Sequence, residues 1–196
     1  MNRDRGLLLA PGAGADRNQV SLVAIDDAAT AAGWLVVRMD FPYRKAGRRA
    51  PDRAPVLIAS VRDEAAGLAS RCGRLVMGGR SMGGRMCAMA VADGVGAAGL
   101  VLISYPLHPP GRPAGLRTEH FPLLEVPCLF VSGTRDAFGS PAELEAATAA
   151  IPGGVTHRWI EGKDHGLRGC EAPVSAIVVE WLTQLGPEGR AGATQP

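Results

Sequence analysis

No apolar run in this chain is long enough to cross a membrane. The N-terminal hydrophobic stretch, Leu7-Leu8-Leu9-Ala10, is far shorter than a spanning helix or the core of a secretory signal, so a cytoplasmic protein with no membrane partner is expected. Paired cysteines are missing as well. Cys72, Cys87, Cys128 and Cys170 are irregularly spaced with no C-x-x-C pair, which argues against a zinc site or a disulfide framework and for free, mostly buried thiols. There is no excess of one charge either. With 21 basic and 19 acidic residues the formal balance is +2, which gives no reason to expect nucleic acid as a partner.

What is present is the composition of an ordinary globular domain. At 196 residues, 46% of them apolar and 20% charged, the chain can bury a normal core and is expected to form one domain over 1–186. Residues 187–196 are small and polar and are expected to be disordered.

Short apolar runs alternate with amphipathic or alanine-rich segments along nearly the whole length. That rhythm predicts an α/β fold with a six-stranded, mostly parallel sheet and helices on both faces. The strands are expected at Gly6 to Ala10, Trp34 to Asp40, Arg74 to Gly78, Gly99 to Ser104, Cys128 to Ser132 and Thr156 to Ile160. Their Val, Leu and Ile runs are continuous, as in strands buried on both faces. The helices are expected at Val20 to Ala32, Val56 to Ser70, Ser81 to Ala92, Pro141 to Ile151 and Ala172 to Leu185. Two stretches break the rhythm, Phe41 to Pro55 and the proline-rich Tyr105 to Pro127. Both follow strands at the edge where an open α/β sheet places its ligand, so they are expected to wall a site.

Gly78-Gly79-Arg80-Ser81-Met82-Gly83-Gly84 lies between an apolar strand and a helix. A serine lifted above a sheet on a sharp strand-to-helix turn needs small residues two before and two after it, and Gly79 and Gly83 supply them. A serine hydroxyl becomes a nucleophile only when a base takes its proton and a third group orients that base. Asp136 in Gly133-Thr134-Arg135-Asp136 follows the fifth strand, and His165 in Gly162-Lys163-Asp164-His165 follows the sixth. All three candidates therefore converge on one sheet edge. Asp136 could serve as a turn former instead, and Asp164 competes for the acid role, but a neighbour in sequence has difficulty reaching the far nitrogen of His165.

Acyl transfer also needs donors for an oxyanion. The backbone N–H of Met82 and that of Ala13, in the loop Pro11-Gly12-Ala13-Gly14 after the first strand, are the candidates. Gly12, Arg80, Tyr43, Tyr105 and His108 are the expected lining of the substrate pocket. A rival reading takes Gly12-x-Gly14 as a dinucleotide fingerprint, with Asp40 as its acid. Arg17 stands where the third glycine belongs, which counts against it. No metal and no organic cofactor are implied.

Several segments occur here in a characteristic order: Leu9-Ala10-Pro11-Gly12-Ala13-Gly14, Met39-Asp40-Phe41-Pro42-Tyr43, the Gly78 to Gly84 turn, Ser104-Tyr105-Pro106-Leu107-His108-Pro109-Pro110-Gly111, Leu116-Arg117-Thr118-Glu119-His120 and Asp164-His165. In these the chain resembles the compact α/β-hydrolase-like family that includes a testis-expressed protein and a subunit of the nonspecific-lethal histone acetyltransferase complex. More distantly it is similar to dienelactone hydrolases. The resemblance implies a minimal α/β-hydrolase core with no cap domain and a triad at Ser81, Asp136 and His165. Pro11 departs from the pattern, since relatives often carry histidine before Gly-Ala-Gly. The expected activity is a serine hydrolase acting on a small carboxylic ester or thioester through an acyl-enzyme. The alternative is a non-catalytic interaction module on the same scaffold. The expected partner is a small-molecule substrate; a homodimer is compatible with the sequence.

Overall fold

The computed structural model describes residues 4–185, so the expected tail at 187–196 lies outside the described residues. Six strands form one sheet: β1 (Arg5–Ala10), β2 (Leu35–Arg38), β3 (Arg74–Arg80), β4 (Leu100–Ile103), β5 (Cys128–Gly133) and β6 (Val155–Ile160). Their order is β2-β1-β3-β4-β5-β6, and all five pairings are parallel. The helices are α1 (Val20–Ala31), α2 (Pro42–Lys45), α3 (Ala54–Ala69), α4 (Met82–Ala92), α5 (Pro141–Thr148) and α6 (Glu171–Gln184).

Alternation along the strands splits the core in two. Leu8, Met77 and Leu102 pack with Leu57, Val61, Met86 and Leu144, which places α3, α4 and α5 on one face. Leu7, Leu9, Val76 and Val101 pack with Leu22, Ile25, Val174 and Trp181, which places α1 and α6 on the other. This is the winding that right-handed crossovers dictate when the chain steps outward from β1 in one direction and from β3 in the other. The expected six strands and five longer helices are all present.

Burial differs at the edges. The central strands β1, β3, β4 and β5 are buried nearly throughout, whereas β2 and β6 are only half-buried because each has one neighbour. The apolar residues of β2 still face both cores, Leu35 and Val37 on the side of α3 and Val36 on the side of α1. The segment after β2 also contains a short helix, α2, started by Pro42 at its first position. The cysteines are free; Cys87, Cys128 and Cys170 are buried and Cys72 is partly so. Burial pushes the Cys87 and Cys128 thiols up to about 12, so they stay protonated and unreactive near neutral pH.

Candidate active site

Strand order reverses between β1 and β3, and the C-terminal ends of these two strands open the crevice where a doubly wound sheet accepts its ligand. Ser81 stands there between β3 and α4 with φ 50° and ψ −117°, a conformation that L-residues rarely hold. Hydrogen bonds fix it on both sides. Its N–H donates to Ile103 O at 2.8 Å, and its carbonyl accepts from Arg85 N at 3.1 Å. The glycines around it permit close approach. A Cβ on Gly79 would run into the Ala10 carbonyl, and one on Gly83 would meet the carbonyls of Ala10 and Pro11. Helix α4 can therefore start directly against the end of β1.

Loops after β5 and β6 bring the other two candidates to the serine. His165 Nε2 lies 2.9 Å from Ser81 Oγ. His165 Nδ1 lies 2.8 and 3.0 Å from the two carboxylate oxygens of Asp136. A carboxylate only accepts, so Nδ1 carries the ring proton and Nε2 presents its lone pair to the serine hydroxyl. The Asp136 side chain is 1% exposed. Its Oδ1 also accepts from Phe138 N at 2.8 Å, so the same carboxylate closes a turn and faces the imidazole. Asp164 turns away and accepts from Gly166 N at 2.8 Å.

The loop after β1 lies beside the serine, braced at two of its amides. Gly12 N donates to Gln19 Oε1 at 2.9 Å, and Gly14 N donates to the Tyr43 hydroxyl at 3.1 Å. Between them, the Ala13 N–H has no protein acceptor among the described residues, nor does that of Met82 at the first position of α4. Gly12 thus contributes through a clamped backbone.

The remaining expected pocket residues occupy other places. Tyr43 is fully buried, and its hydroxyl supports the Gly14 amide. Tyr105 is buried too; its hydroxyl donates to Arg117 O at 2.7 Å and lies 3.2 Å from His120 Nε2. His108 donates from Nδ1 to Pro109 O at 2.9 Å, with Nε2 3.6 Å from Glu143 Oε1. Arg80 reaches back from the end of β3 and donates to the backbone carbonyl of His165. Burial pushes its pKa below the ordinary arginine value, opposed by the charges of Asp136 and Asp164. The dipeptide Arg80-Ser81 thus holds the main chain of the histidine and faces its ring at once.

Sequence reasoning missed two supports. Gln19 carries no motif and acts only because α1 starts over the loop. Phe138 stacks on the His165 ring at 4.1 Å and 30°; an aromatic two residues after Asp136, in reach once the turn forms, was the available signal. Asp40 is held by Arg17, whose Nε lies 2.6 Å from Oδ2 and whose N–H donates to Oδ1 at 2.7 Å. Burial raises the Asp40 pKa, but these Arg17 bonds outweigh it and leave the carboxyl below its ordinary value. The acid of the dinucleotide reading is therefore already occupied. No group of three or more His, Cys, Asp or Glu residues among those described could hold a metal.

A serine raised on a strand–turn–helix elbow over a parallel sheet, with a glycine loop beside it and an acid and a histidine on later strands, defines the α/β-hydrolase class. The chain belongs to the Alpha/beta hydrolase domain family, whose model matches residues 3–173. Among solved structures it is similar to a protein described as a hydrolase of the alpha/beta superfamily from Xanthomonas campestris pv. campestris, with 21% identity, TM-score 0.72, and 92% of this chain and 99% of that one covered. It is also similar to the dienelactone hydrolase of Anabaena variabilis, with 18% identity, TM-score 0.71 and coverage of 91% and 85%. A third is the type II thioesterase BorB from the borrelidin biosynthetic cluster, with 18% identity, TM-score 0.66 and coverage of 91% and 92%. At these identities the likeness carries the fold.

Proposed function

We propose that the protein is a serine hydrolase that cleaves a small carboxylic ester or thioester through an acyl-enzyme. One observation carries the reading: the unbroken hydrogen-bond chain from Ser81 Oγ through the His165 ring to the buried Asp136 carboxylate. An interaction module that had lost activity would have no need to keep all three groups in register. The narrower kinship with the compact branch of the family rests on the Tyr105 to Gly111 segment.

In the first step Ser81 Oγ attacks the carbonyl carbon while His165 Nε2 takes the hydroxyl proton. Asp136 holds the imidazole in the required tautomer and stabilises the imidazolium. In this mechanism the oxygen of the tetrahedral intermediate accepts from the Ala13 and Met82 amides, which have no protein acceptor among the described residues and so are available to it. Collapse expels the alcohol or thiol, which leaves with the proton from His165. A water then attacks the acyl-enzyme, gives its proton to Nε2, and the acid departs as Ser81 recovers its hydrogen.

Four free thiols suit a reducing compartment, so the cytoplasm is the location we infer. A fluorophosphonate probe is expected to label the native protein and to leave Ser81→Ala unlabelled. Folded native protein that resists the probe would overturn the proposal. Short-chain nitrophenyl esters, thioesters and lactones then resolve the substrate class, with Ser81→Ala as the blank.

A further inference from the structure

The loops carrying Asp136 and His165 enclose a second feature, an open cleft of ≈ 450 Å³ lined by Arg135, Gly162, Lys163, Asp164 and Arg168. We propose that this cleft is a binding site for an anion of the carboxylate or phosphate class, held by Arg135 and Arg168. Its coupling to catalysis rests on the hydrolase reading; the binding does not.

Three cations line the cleft against one carboxylate. Asp164 is engaged within its own loop, where Oδ1 accepts from Gly166 N at 2.8 Å. Among the described residues, Arg135, Lys163 and Arg168 form no ion pair. Lys163 Nζ donates to Arg168 O at 3.1 Å, which keeps its ammonium at the wall. Of the neighbouring acids, Asp136 faces His165 and Glu161 accepts from Thr134 Oγ1 at 3.2 Å, and neither is ion-paired with these three cations. The lining thus keeps a net positive charge, three cations to the one Asp164 carboxylate, and a guanidinium fork matches the oxygens of a carboxylate or phosphate.

The frame of the cleft is fixed, while among the described residues the Arg135 and Arg168 guanidinium groups have no hydrogen-bond or ion-pair partner. Arg135 N donates to Lys163 O at 2.9 Å, and Gly162 N donates to Thr134 Oγ1 at 2.8 Å. The two loops run so close that a Cβ on Gly133 would strike the Lys163 carbonyl. Arg135 immediately precedes Asp136, and Arg168 follows His165 by three residues. An anion gripped by both arginines therefore bridges the loops that align the acid with the base.

The anion has two sources, a charged group on the substrate or a free anion such as phosphate. Inorganic phosphate is titrated at constant ionic strength, balanced with chloride, against native protein, Ser81→Ala, and the single and double variants Arg135→Gln and Arg168→Gln. The readout is melting temperature. A saturable rise is expected in native protein and in Ser81→Ala, with binding about fivefold weaker for each guanidinium removed. A response without saturation, or one unchanged in the double variant, overturns the proposal. Both arginines are exposed, and melting without phosphate reports whether each variant is folded.

A second arm compares a neutral nitrophenyl ester with one carrying a carboxylate on its acyl chain. If the substrate supplies the anion, the native protein shows a KM for the charged ester lower by about tenfold, and phosphate competes with it. If the anion is free, phosphate changes kcat on the neutral ester without competing. Either outcome supports the cleft. Phosphate binding in a protein that fluorophosphonate does not label would sink the hydrolase reading alone; labelling without phosphate binding would sink the cleft alone.

Discussion

Replacing Tyr43 by phenylalanine removes one oxygen from a fully buried ring and leaves the ring itself seated, stacked on Phe41 at 6.2 Å and 13°. The lost oxygen accepts the Gly14 N–H at 3.1 Å. Gly14 is exposed, so water can satisfy the freed amide and the stability cost falls at the low end, about 0.5–1 kcal/mol. In a domain of this size that lowers Tm by roughly 1–4 °C. On the oxyanion role proposed for Ala13, the catalytic cost is larger. With Gly14 released, Ala13 is held from one side only, by Gln19 at Gly12. Deleting a whole oxyanion donor costs about 10²–10³ in kcat, so loosening one is expected to lower kcat about tenfold with KM within about twofold. Steady-state kinetics on a short-chain nitrophenyl ester measure both constants. A raised KM at unchanged kcat would show that Tyr43 reads the substrate, and a lowered Tm with both constants unchanged would show that the brace is structural only; either refutes the reasoning.

Gly83→Ala drives a Cβ into the Ala10 and Pro11 carbonyls, so β1 or α4 must shift; urea unfolding is expected to show a loss of about 3 kcal/mol or more. Gly67→Ala in α3 meets open space, and the same measurement should show a gain of about 0.5–1 kcal/mol. His120 is 7% exposed, and burial, assisted by the Arg85 charge, pushes its pKa down to about 4. Between that value and the unfolded value of 6.5 the unfolded chain binds a proton that the folded one refuses, so stability is complete above 6.5 and falls as pH falls toward 4. Unfolding free energies from urea titrations at pH 7 and pH 5 should differ by up to about 2 kcal/mol more in the native protein than in His120→Gln; equal differences would show that His120 does not set the acid limb.

The strands were legible because burial on both faces leaves unbroken apolar runs such as Leu7 to Ala10 and Leu100 to Ile103. Their ends were less so. Strand β3 runs on to Arg80, past the Gly78-Gly79 pair that reads as the start of a turn. These glycines do not turn the chain there. A Cβ on Gly78 would strike the Val101 carbonyl and one on Gly79 the Ala10 carbonyl, so they admit neighbouring strands at close range. Composition cannot separate a glycine that turns from one that makes room. Helix α2 was hidden for a related reason: Pro42 is a start signal, but the Arg- and Gly-rich residues after it read as loop.

At the site, spacing in the sequence placed Ser81, Asp136 and His165 on loops at one sheet edge, because strand order and parallel pairing decide where a loop emerges. What each side chain then touches is a long-range matter. Arg80 was expected to meet substrate, yet its guanidinium holds the His165 carbonyl, 85 positions further on. The elbow shows why such bonds are needed. A serine at φ 50° stores about 1–3 kcal/mol of backbone strain, which persists only if the surroundings over-determine it. Ile103 and Arg85 fix its backbone, the glycine contacts fix the start of α4, and Arg80 fixes the histidine that its hydroxyl must meet. The strain aims the hydroxyl out of the sheet; the braces make that direction coincide with Nε2 at 2.9 Å. A G-x-S-x-G pattern alone encodes the first of these conditions, and the braces, supplied by residues far apart in sequence, meet the second.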